Sequence, residues 1–365
     1  MKKRIIISVT SDLATDQRVL KSAFSCHKNG YDVLLAGRKL KNSLPLNLPF
    51  KYLRFRLIFN SSAFFYAEYN IRLFFFLLFS RCDILLSNDT DTLPANYLVS
   101  QLRRKKLVFD AHELFPEVPE LARRPCVKKI WEKLEDFIFP RLQYSYTVCQ
   151  SIAGYYNRKY GIEMKVVRNV PYYRQTTSRL LREQFPGKKI VLYQGALNVG
   201  RGLEWVIDAM PLIDNAVLVI IGCGDIRQQL ETQVERLKLK DKVFFAGKIG
   251  GDKLHEYTSS ADIGLCLLES RGLSYYYSLP NRIFDYIQAG LPVLATCFPE
   301  IENIVATCKT GVLIDRYEAD FIAATINDML NNPLDTSHFG DLAKEFCWEN
   351  EEKILMGIIS PLNPP

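Results

Sequence analysis

Leu279-Pro280-Asn281-Arg282-Ile283-Phe284-Asp285-Tyr286-Ile287-Gln288-Ala289-Gly290-Leu291-Pro292-Val293-Leu294-Ala295-Thr296 is the stretch on which the reading of this chain turns. Pro280 sets a helix start, Ile283, Phe284 and Ile287 recur at helical spacing, and Gly290 supplies a stop before an apolar run, Pro292 to Thr296, that reads as a short buried strand. A helix begun this way leaves its first N–H groups without partners. Its N-terminus is therefore receptive to a phosphate. Asn281 and Arg282 add a donor and a positive charge to the first turn, and Asp285 follows one turn on. The stretch is read as part of a sugar-nucleotide site, although any purely structural αβ unit uses the same start, stop and strand.

Working outward, 365 residues with 48% hydrophobic content suffice for two domains, each with a core of its own. A net charge of +7 and a pI near 8.8 suit an acidic small molecule or an anionic membrane surface as well as nucleic acid, and no feature singles out nucleic acid as a partner. The nine cysteines show neither a CxxC pair nor a Cys/His cluster, so no disulfide framework and no metal site is expected, and a reducing cytosol is the simplest setting. The apolar run after Met1-Lys2-Lys3-Arg4 is too short for a signal peptide and reads as a first strand. Ala63 to Leu86 is rich in Phe and Leu, but Glu68, Asn70, Arg72, Arg81 and Asp83 interrupt it, leaving nothing near the ~20 residues of a membrane span. It is expected to be a buried helix followed by a strand.

The alternation of strand-like and helix-like segments runs through both halves. Residues 4–10 read as a strand, 11–16 as a polar turn, Arg18 to Lys28 as a helix and 32–36 as a strand. This opening lacks G-x-G-x-x-G, which counts against a nicotinamide or flavin enzyme. The turn offers Asp12, Asp16 and Arg18 instead, as acceptor-side candidates or as helix caps. Strands follow at 83–87, 107–110, 147–149 and 165–168. At the end of the 107–110 strand, where open parallel sheets collect ligands, stands Asp110-Ala111-His112-Glu113-Leu114-Phe115-Pro116-Glu117. An imidazole beside carboxylates there can bond a substrate hydroxyl or shuttle a proton. Residues 169–187, polar and punctuated by proline, are read as a linker between a first domain (1–168) and a second (188–340), with a terminal segment, 341–360, crossing back to the first and anchored by Trp348, Ile354, Leu355 and Ile358. In the second domain the loops Gln194 to Gly202, with Gly195 and Arg201, Gly222-Cys223-Gly224-Asp225, and Gly247-Lys248 each follow a strand.

Together, the two-domain layout, the 110–117 motif, the Gln-Gly…Arg-Gly loop, Gly-x-Gly-Asp at 222–225 and Leu-Pro-Asn-Arg-Ile-Phe-Asp-Tyr-Ile-x-Ala-Gly-Leu-Pro-Val at 279–293 resemble the group 1 (family 4) glycosyltransferases of GT-B fold. The resemblance covers nearly the whole chain. It implies an α/β protein of two Rossmann-like domains facing a cleft, and retaining transfer of a sugar from a nucleotide-diphosphate donor to a glycan or lipid-linked acceptor, with no tightly bound metal or other cofactor. It implies that Arg201 holds the diphosphate, that the backbone near Leu279 and Asn281 cradles the distal phosphate, that Asp285 grips the ribose, and that His112 lies near the sugar and leaving phosphate. Glu113 joins the acceptor side. Gly195, Gly222 and Gly224 join the donor side.

Three positions depart from the family pattern. The basic residue that often follows the first-loop glycine is Ala196, which leaves Arg201 more of the phosphate charge, shared with Lys248 or Arg282. A glutamate expected eight positions before Asp285 is Tyr277, and Glu269 is the candidate to replace it. The first strand's loop lacks the usual glycines. The Phe-rich segment, the basic run Arg103-Arg104-Lys105-Lys106 and the positive net charge suggest peripheral contact with an anionic membrane, in the service of surface polysaccharide synthesis. A sugar-nucleotide epimerase or a non-catalytic sugar-nucleotide-binding module are the alternative uses of the same framework.

Overall fold

Apolar runs too short for helices become parallel strands here, and the amphipathic stretches between them become the crossovers. The computed structural model describes residues 2–122, 124–175 and 177–362. The chain divides into two units, Met1–Asn169 with Trp348–Pro365, and Val170–Cys347. The first holds strands β1 (Arg4–Asp12), β2 (Asp32–Arg38), β3 (Lys51–Phe55), β4 (Ile84–Asn88), β5 (Lys106–Ala111), β6 (Tyr144–Thr147) and β7 (Lys165–Val166), in the order β3-β2-β1-β4-β5-β6-β7. In the second, β8 (Lys189–Gln194), β9 (Ala216–Ile221), β10 (Val243–Gly247), β11 (Ile263–Cys266), β12 (Val293–Thr296) and β13 (Gly311–Ile314) run in the order β10-β9-β8-β11-β12-β13. Strand pairs are parallel in both sheets, and each order reverses once, beside β1 and beside β8, which is where doubly wound sheets open a ligand crevice.

Alternate strand residues feed opposite faces. In the first unit Ile5, Ile7 and Leu86 pack with helix α1 (Gln17–Lys28), whereas Ile6 and Leu85 pack with α2 (Ser62–Phe79) and α3 (Leu93–Arg103). A further helix, α4 (Pro125–Ile138), precedes β6. The Trp348–Ile359 helix joins the α1 side: Trp348 is fully buried and its indole N–H donates to Ser25 Oγ at 2.9 Å. Ile354, expected as an anchor, is 41% exposed; Leu355, Met356 and Ile359 do the packing.

Several boundaries differ from the sequence reading. The strand expected at 147–149 lies at Tyr144–Thr147, because Tyr144 and Tyr146 pair with Val108 and Asp110 while Cys149 already caps the next helix. β3 was not anticipated at all. The segment 169–187 is not an open linker: Val170 and Leu181 are buried, Leu180–Gln184 is helical, and Arg174 N–H donates to Gln288 Oε1 at 3.0 Å. The return to the first unit begins at Trp348 rather than 341, since the Phe339–Glu345 helix stays on the second unit, where Gln288 Nε2 donates to the Ala343 carbonyl at 2.7 Å.

The second unit places its long motif as helix α6 (Asn281–Gln288), after α5 (Leu203–Ala209). Ile283, Phe284 and Ile287 are buried as the spacing predicts. Tyr286 lies flat on β11 and donates its hydroxyl to the Leu265 carbonyl at 3.1 Å. It fits because residue 264 is glycine: a Cβ there would lie 2.7 Å from the Tyr286 ring. Gly264→Ala is therefore expected to lift α6 and cost ~1–3 kcal/mol, the usual penalty of overpacking. Hydrogen exchange of the α6 amides should accelerate in that variant; unchanged protection would show that the contact does not seat the helix.

Candidate active site

In the second unit, β8 ends at Gln194 and the chain turns at Gly195, whose φ of +140° few side chains adopt. The loop is stitched to its neighbours by backbone bonds, Gly195 N–H to the Ile221 carbonyl at 3.0 Å and Leu197 N–H to the Cys223 carbonyl at 3.0 Å. A Cβ on Gly222 would fall 1.8 Å from the Gly195 oxygen, and one on Gly224 2.4 Å from the Leu197 oxygen. Gly222 and Gly224 thus let two loops close on each other. They are not among the residues that line the hollow at this strand end.

A hollow of about 340 Å³ opens at this strand end, lined by Gln194, Gly195, Arg201, Leu254, Pro280, Asn281, Arg282 and Asp285. Two guanidinium groups reach it from different elements. Arg201, just before α5, lies over the Tyr275 ring at 4.9 Å, and its Nε is buried without a hydrogen-bond partner among the described residues. Arg282, in the first turn of α6, is buried over the Tyr193 ring at 4.4 Å, and its Nη1 likewise has no partner there. Neither forms an ion pair with a carboxylate among the described residues. A Cβ on Gly195 would lie 3.0 Å from Arg282 Nη2, so the glycine makes room for that side chain. One buried and one half-buried cation, each with a buried donor atom unspent and neither paired with a carboxylate, give the hollow an electrostatic character suited to an anion.

One carboxylate joins the lining. Gln194 Nε2 donates to Asp285 Oδ2 at 3.0 Å while Gln194 Oε1 accepts from Thr258 Oγ1 at 2.7 Å. The amide is thereby oriented, and it holds the Asp285 carboxylate at the edge of the hollow. Asn281 is exposed at the start of α6 and Leu279 is buried just before it. Pro280 caps the helix in an extended conformation without a side-chain hydrogen bond, so first-turn N–H groups remain available. Lys248 is exposed and does not line the hollow; nor does Glu269, whose carboxylate pairs with Arg271 at 2.6 Å. The structure thus gives Glu269 a local ion pair instead of the place of the missing glutamate.

The first unit builds a different constellation beyond β4 and β5. Arg18 is bidentate to Asp110, Nη2 to Oδ1 at 2.7 Å and Nε to Oδ2 at 2.9 Å, with the two side chains 3% and 0% exposed, and Arg18 Nη1 donates to the Val167 carbonyl at 2.8 Å. Arg18 is a buried strut and presents nothing to an acceptor. Asp16 caps α1, accepting from Val19 N–H at 3.1 Å, and Asp12 accepts from Ala14 N–H at 3.1 Å with Arg54 at 3.9 Å, so both are occupied by the turn itself. Glu113, half-buried, follows His112 in the same loop, where its carbonyl accepts from Tyr156 at 3.4 Å.

His112 is held on both ring nitrogens, Nδ1 to Asp89 Oδ2 at 3.0 Å and Nε2 to Asp110 Oδ2 at 3.1 Å. Asp89 adopts φ +58° and also accepts from the His112 backbone N–H at 2.8 Å. Burial alone would lower the imidazole pKa, but the carboxylates of Asp89 and Asp110 outweigh it and raise it well above 6.5. His112 is an imidazolium with both N–H groups spent on carboxylates, which corrects the expectation of a proton shuttle. Burial likewise opposes the charge on Asp110, yet Arg18 and His112 hold its pKa at about 2. Beneath them burial pushes Asp91 and Glu135 up to about 8, so both are protonated at neutral pH. Among the described residues no cluster of three or more His, Cys, Asp and Glu side chains could hold a metal ion.

Sequence reasoning found Arg201, Arg282 and Asp285 but missed what orients them: Tyr193, Tyr275, Gln194 and Thr258. The run of tyrosines at 275–277 beside a glycine loop was the available signal for a stacking platform.

Residues 180–346 match the family described as glycosyl transferases group 1. A glycosyltransferase of Methanocaldococcus jannaschii described as uncharacterized is 28% identical over 46% of this chain and 43% of its own. The alpha-monoglucosyldiacylglycerol synthase of Streptococcus pneumoniae is 26% identical over 47% of this chain and 39% of its own. The matched stretch thus spans less than half the length of either relative. The solved structure of Anabaena HepE in complex with UDP and glucose superposes with a TM-score of 0.75 at 16% identity, covering 98% of this chain and 100% of that one, a likeness of fold.

The Asp110 linkage has a definite sign. A carboxyl whose folded pKa is depressed contributes stability above its unfolded value near ~3.9, lost as the pH falls through the folded value. Arg18→Met should therefore cost ~3–5 kcal/mol at neutral pH, as breaking a buried pair does. In urea unfolding the cost should shrink near pH 3; a cost independent of pH would contradict the assigned pair.

Proposed function

We propose that this protein, whose residues 180–346 match glycosyl transferases group 1 and whose fold resembles that of a protein solved with UDP and glucose, transfers a sugar from a nucleotide-diphosphate donor to a hydroxyl acceptor, with retention at the anomeric carbon. The observation that carries this reading is the pair Arg201 and Arg282, one half-buried and one buried, each with a buried donor atom unspent and without a carboxylate partner among the described residues, both lining one hollow. As a glycosidic bond breaks, negative charge gathers on the departing diphosphate. Fixed donors that need no reorganisation stabilise that charge most. The N-terminus of α6 adds partial positive charge from the same side. Asp285, held by Gln194, is suited to accept hydrogen bonds from ribose hydroxyls. No cofactor enters this scheme; the nucleotide sugar is the substrate.

The acceptor falls to the first unit, where the His112 imidazolium offers fixed charge at a strand end rather than a base. A glycan or lipid-linked hydroxyl is the acceptor class, and the name of the Streptococcus pneumoniae relative, a diacylglycerol glucoside synthase, supports the lipid version. A role in surface polysaccharide synthesis on the cytoplasmic side of a membrane fits such an acceptor.

Transfer is tested by incubating the chain with a panel of nucleotide sugars, with and without lipid-linked acceptors, and reading the anomeric configuration of the product by NMR. A retained α-linkage from an α-linked donor is expected. Epimerised donor in the absence of acceptor would contradict transfer.

The site assignment is tested by calorimetry. Arg201→Met and Arg282→Met should each weaken UDP binding by ~10–100-fold, the worth of one charged hydrogen-bonding partner, while uridine, which lacks phosphates, binds all three proteins alike. His112→Gln should lower kcat with UDP affinity unchanged. Equal UDP affinity in the arginine variants would remove the assignment.

A further inference from the structure

The outer face of the first unit carries a feature that glycosyl transfer does not use. α2 is apolar on two sides. Phe65, Tyr69, Leu73 and Leu77 are buried against the sheet, while Ile71, Phe75 and Phe79, at i, i+4 and i+8, form a second stripe that faces solvent, Phe79 81% exposed. Glu68, Asn70 and Arg72 interrupt the middle of the helix, but its last turns present the outward stripe without a charge, and such a stripe calls for a covering surface. α3 runs alongside, tied on by Arg103, whose guanidinium donates to the Leu77 carbonyl at 2.7 Å, and it exposes Leu98 and Leu102. On the far side of α3, Tyr97 meets Phe137 of α4 edge-to-face at 6.0 Å, and Phe137 is again exposed. Large side chains on three neighbouring helices thus make one apolar surface, which on soluble proteins marks an interaction site.

Its border is basic. The Arg141 guanidinium lies over the Phe137 ring at 4.4 Å, and Arg141 lines a polar hollow of about 310 Å³ together with Lys105 and Lys106. The hollow stands at the beginning of β5 and β6, the opposite end of those strands from His112. An apolar surface bordered by clustered cations is complementary to a bilayer with anionic headgroups, whose interior takes rings and whose surface attracts Lys and Arg. A second copy of the chain fits less well, since a two-fold contact through this face would bring the same cations toward each other. Among the described residues no helix is long and apolar enough to cross a membrane, so the contact is with its surface.

We infer that this face docks on an anionic lipid bilayer, with Phe75, Phe79 and Leu102 entering the interface and headgroup phosphates held by Lys105, Lys106 and Arg141. The inference stands on this face alone and does not depend on the transfer reaction.

The test is co-sedimentation of the full chain with phosphatidylcholine vesicles and with vesicles in which a third of the lipid is phosphatidylglycerol, at low and high salt. Binding to the anionic vesicles is expected, weaker at high salt. Lys105→Gln/Lys106→Gln/Arg141→Gln should reduce it roughly a hundredfold, at about fivefold per charge. Phe75→Ser/Phe79→Ser should reduce it at least ~10-fold at either salt concentration, through lost apolar burial. Because these side chains lie at the surface, circular dichroism and UDP affinity should stay as in the parent. Absence of binding to both vesicle types, or binding that the phenylalanine variant leaves unchanged, would overturn the inference. So would a lipid-free dimer in analytical ultracentrifugation that Phe75→Ser/Phe79→Ser dissociates, which would assign the face to a second copy.

Discussion

Two guanidinium groups, Arg282 buried and Arg201 half-buried, with buried donor atoms unspent and no carboxylate partner among the described residues, are the constraint from which the second unit is understood. A folded chain does not ordinarily bury charge that it leaves uncompensated, because each such group forfeits its hydration. Here Arg201 and Arg282 are supported instead by the faces of Tyr275 and Tyr193, a weaker compensation that leaves donor atoms unspent. On the proposed function, a diphosphate between the two arginines would offset that cost. Several otherwise unrelated features serve this end: the positive φ of Gly195 beside Arg282, the interlocked glycines at 222 and 224, and the seating of α6 on Gly264.

The first unit solves the opposite problem. The two cations beside Asp110 are paired, Arg18 to Asp110 and His112 to both Asp89 and Asp110, and the carboxylates favour the charged form of the imidazole. A histidine beside carboxylates suggests proton transfer when read as a string of residues. Once both nitrogens face carboxylates, the charged form is favoured and the ring serves as an electrostatic element. The protonated Asp91 and Glu135 below complete a layer in which burial decides ionisation.

Much of the fold was legible because its signals are local. The helix stop at Gly290, the buried stripe Ile283, Phe284 and Ile287, and the alternation of strand and helix depend only on residues a few positions apart. Arg201, Arg282 and Asp285 were legible as candidates because they cluster around two such junctions, and the structure brings them to one hollow. What escaped was long-range: that Arg18 would be consumed by Asp110, 92 positions away, or that Gly222 packs on the Gly195 carbonyl. β3 escaped because Lys51–Phe55 is an edge strand with an exposed, mixed sequence and little apolar alternation. The outward stripe of α2 was hidden for a related reason: composition shows that a helix is apolar, and only packing shows which side is left uncovered.

The central claim is that the two arginines hold one diphosphate between them, and a crystal structure of the protein with UDP measures this directly. The account predicts phosphate oxygens within ~3 Å of both guanidinium groups, with Asp285 on the ribose side and the tyrosine stacking preserved. A diphosphate bound elsewhere in the second unit, or one touching Arg201 while Arg282 keeps its donors unspent, would contradict it.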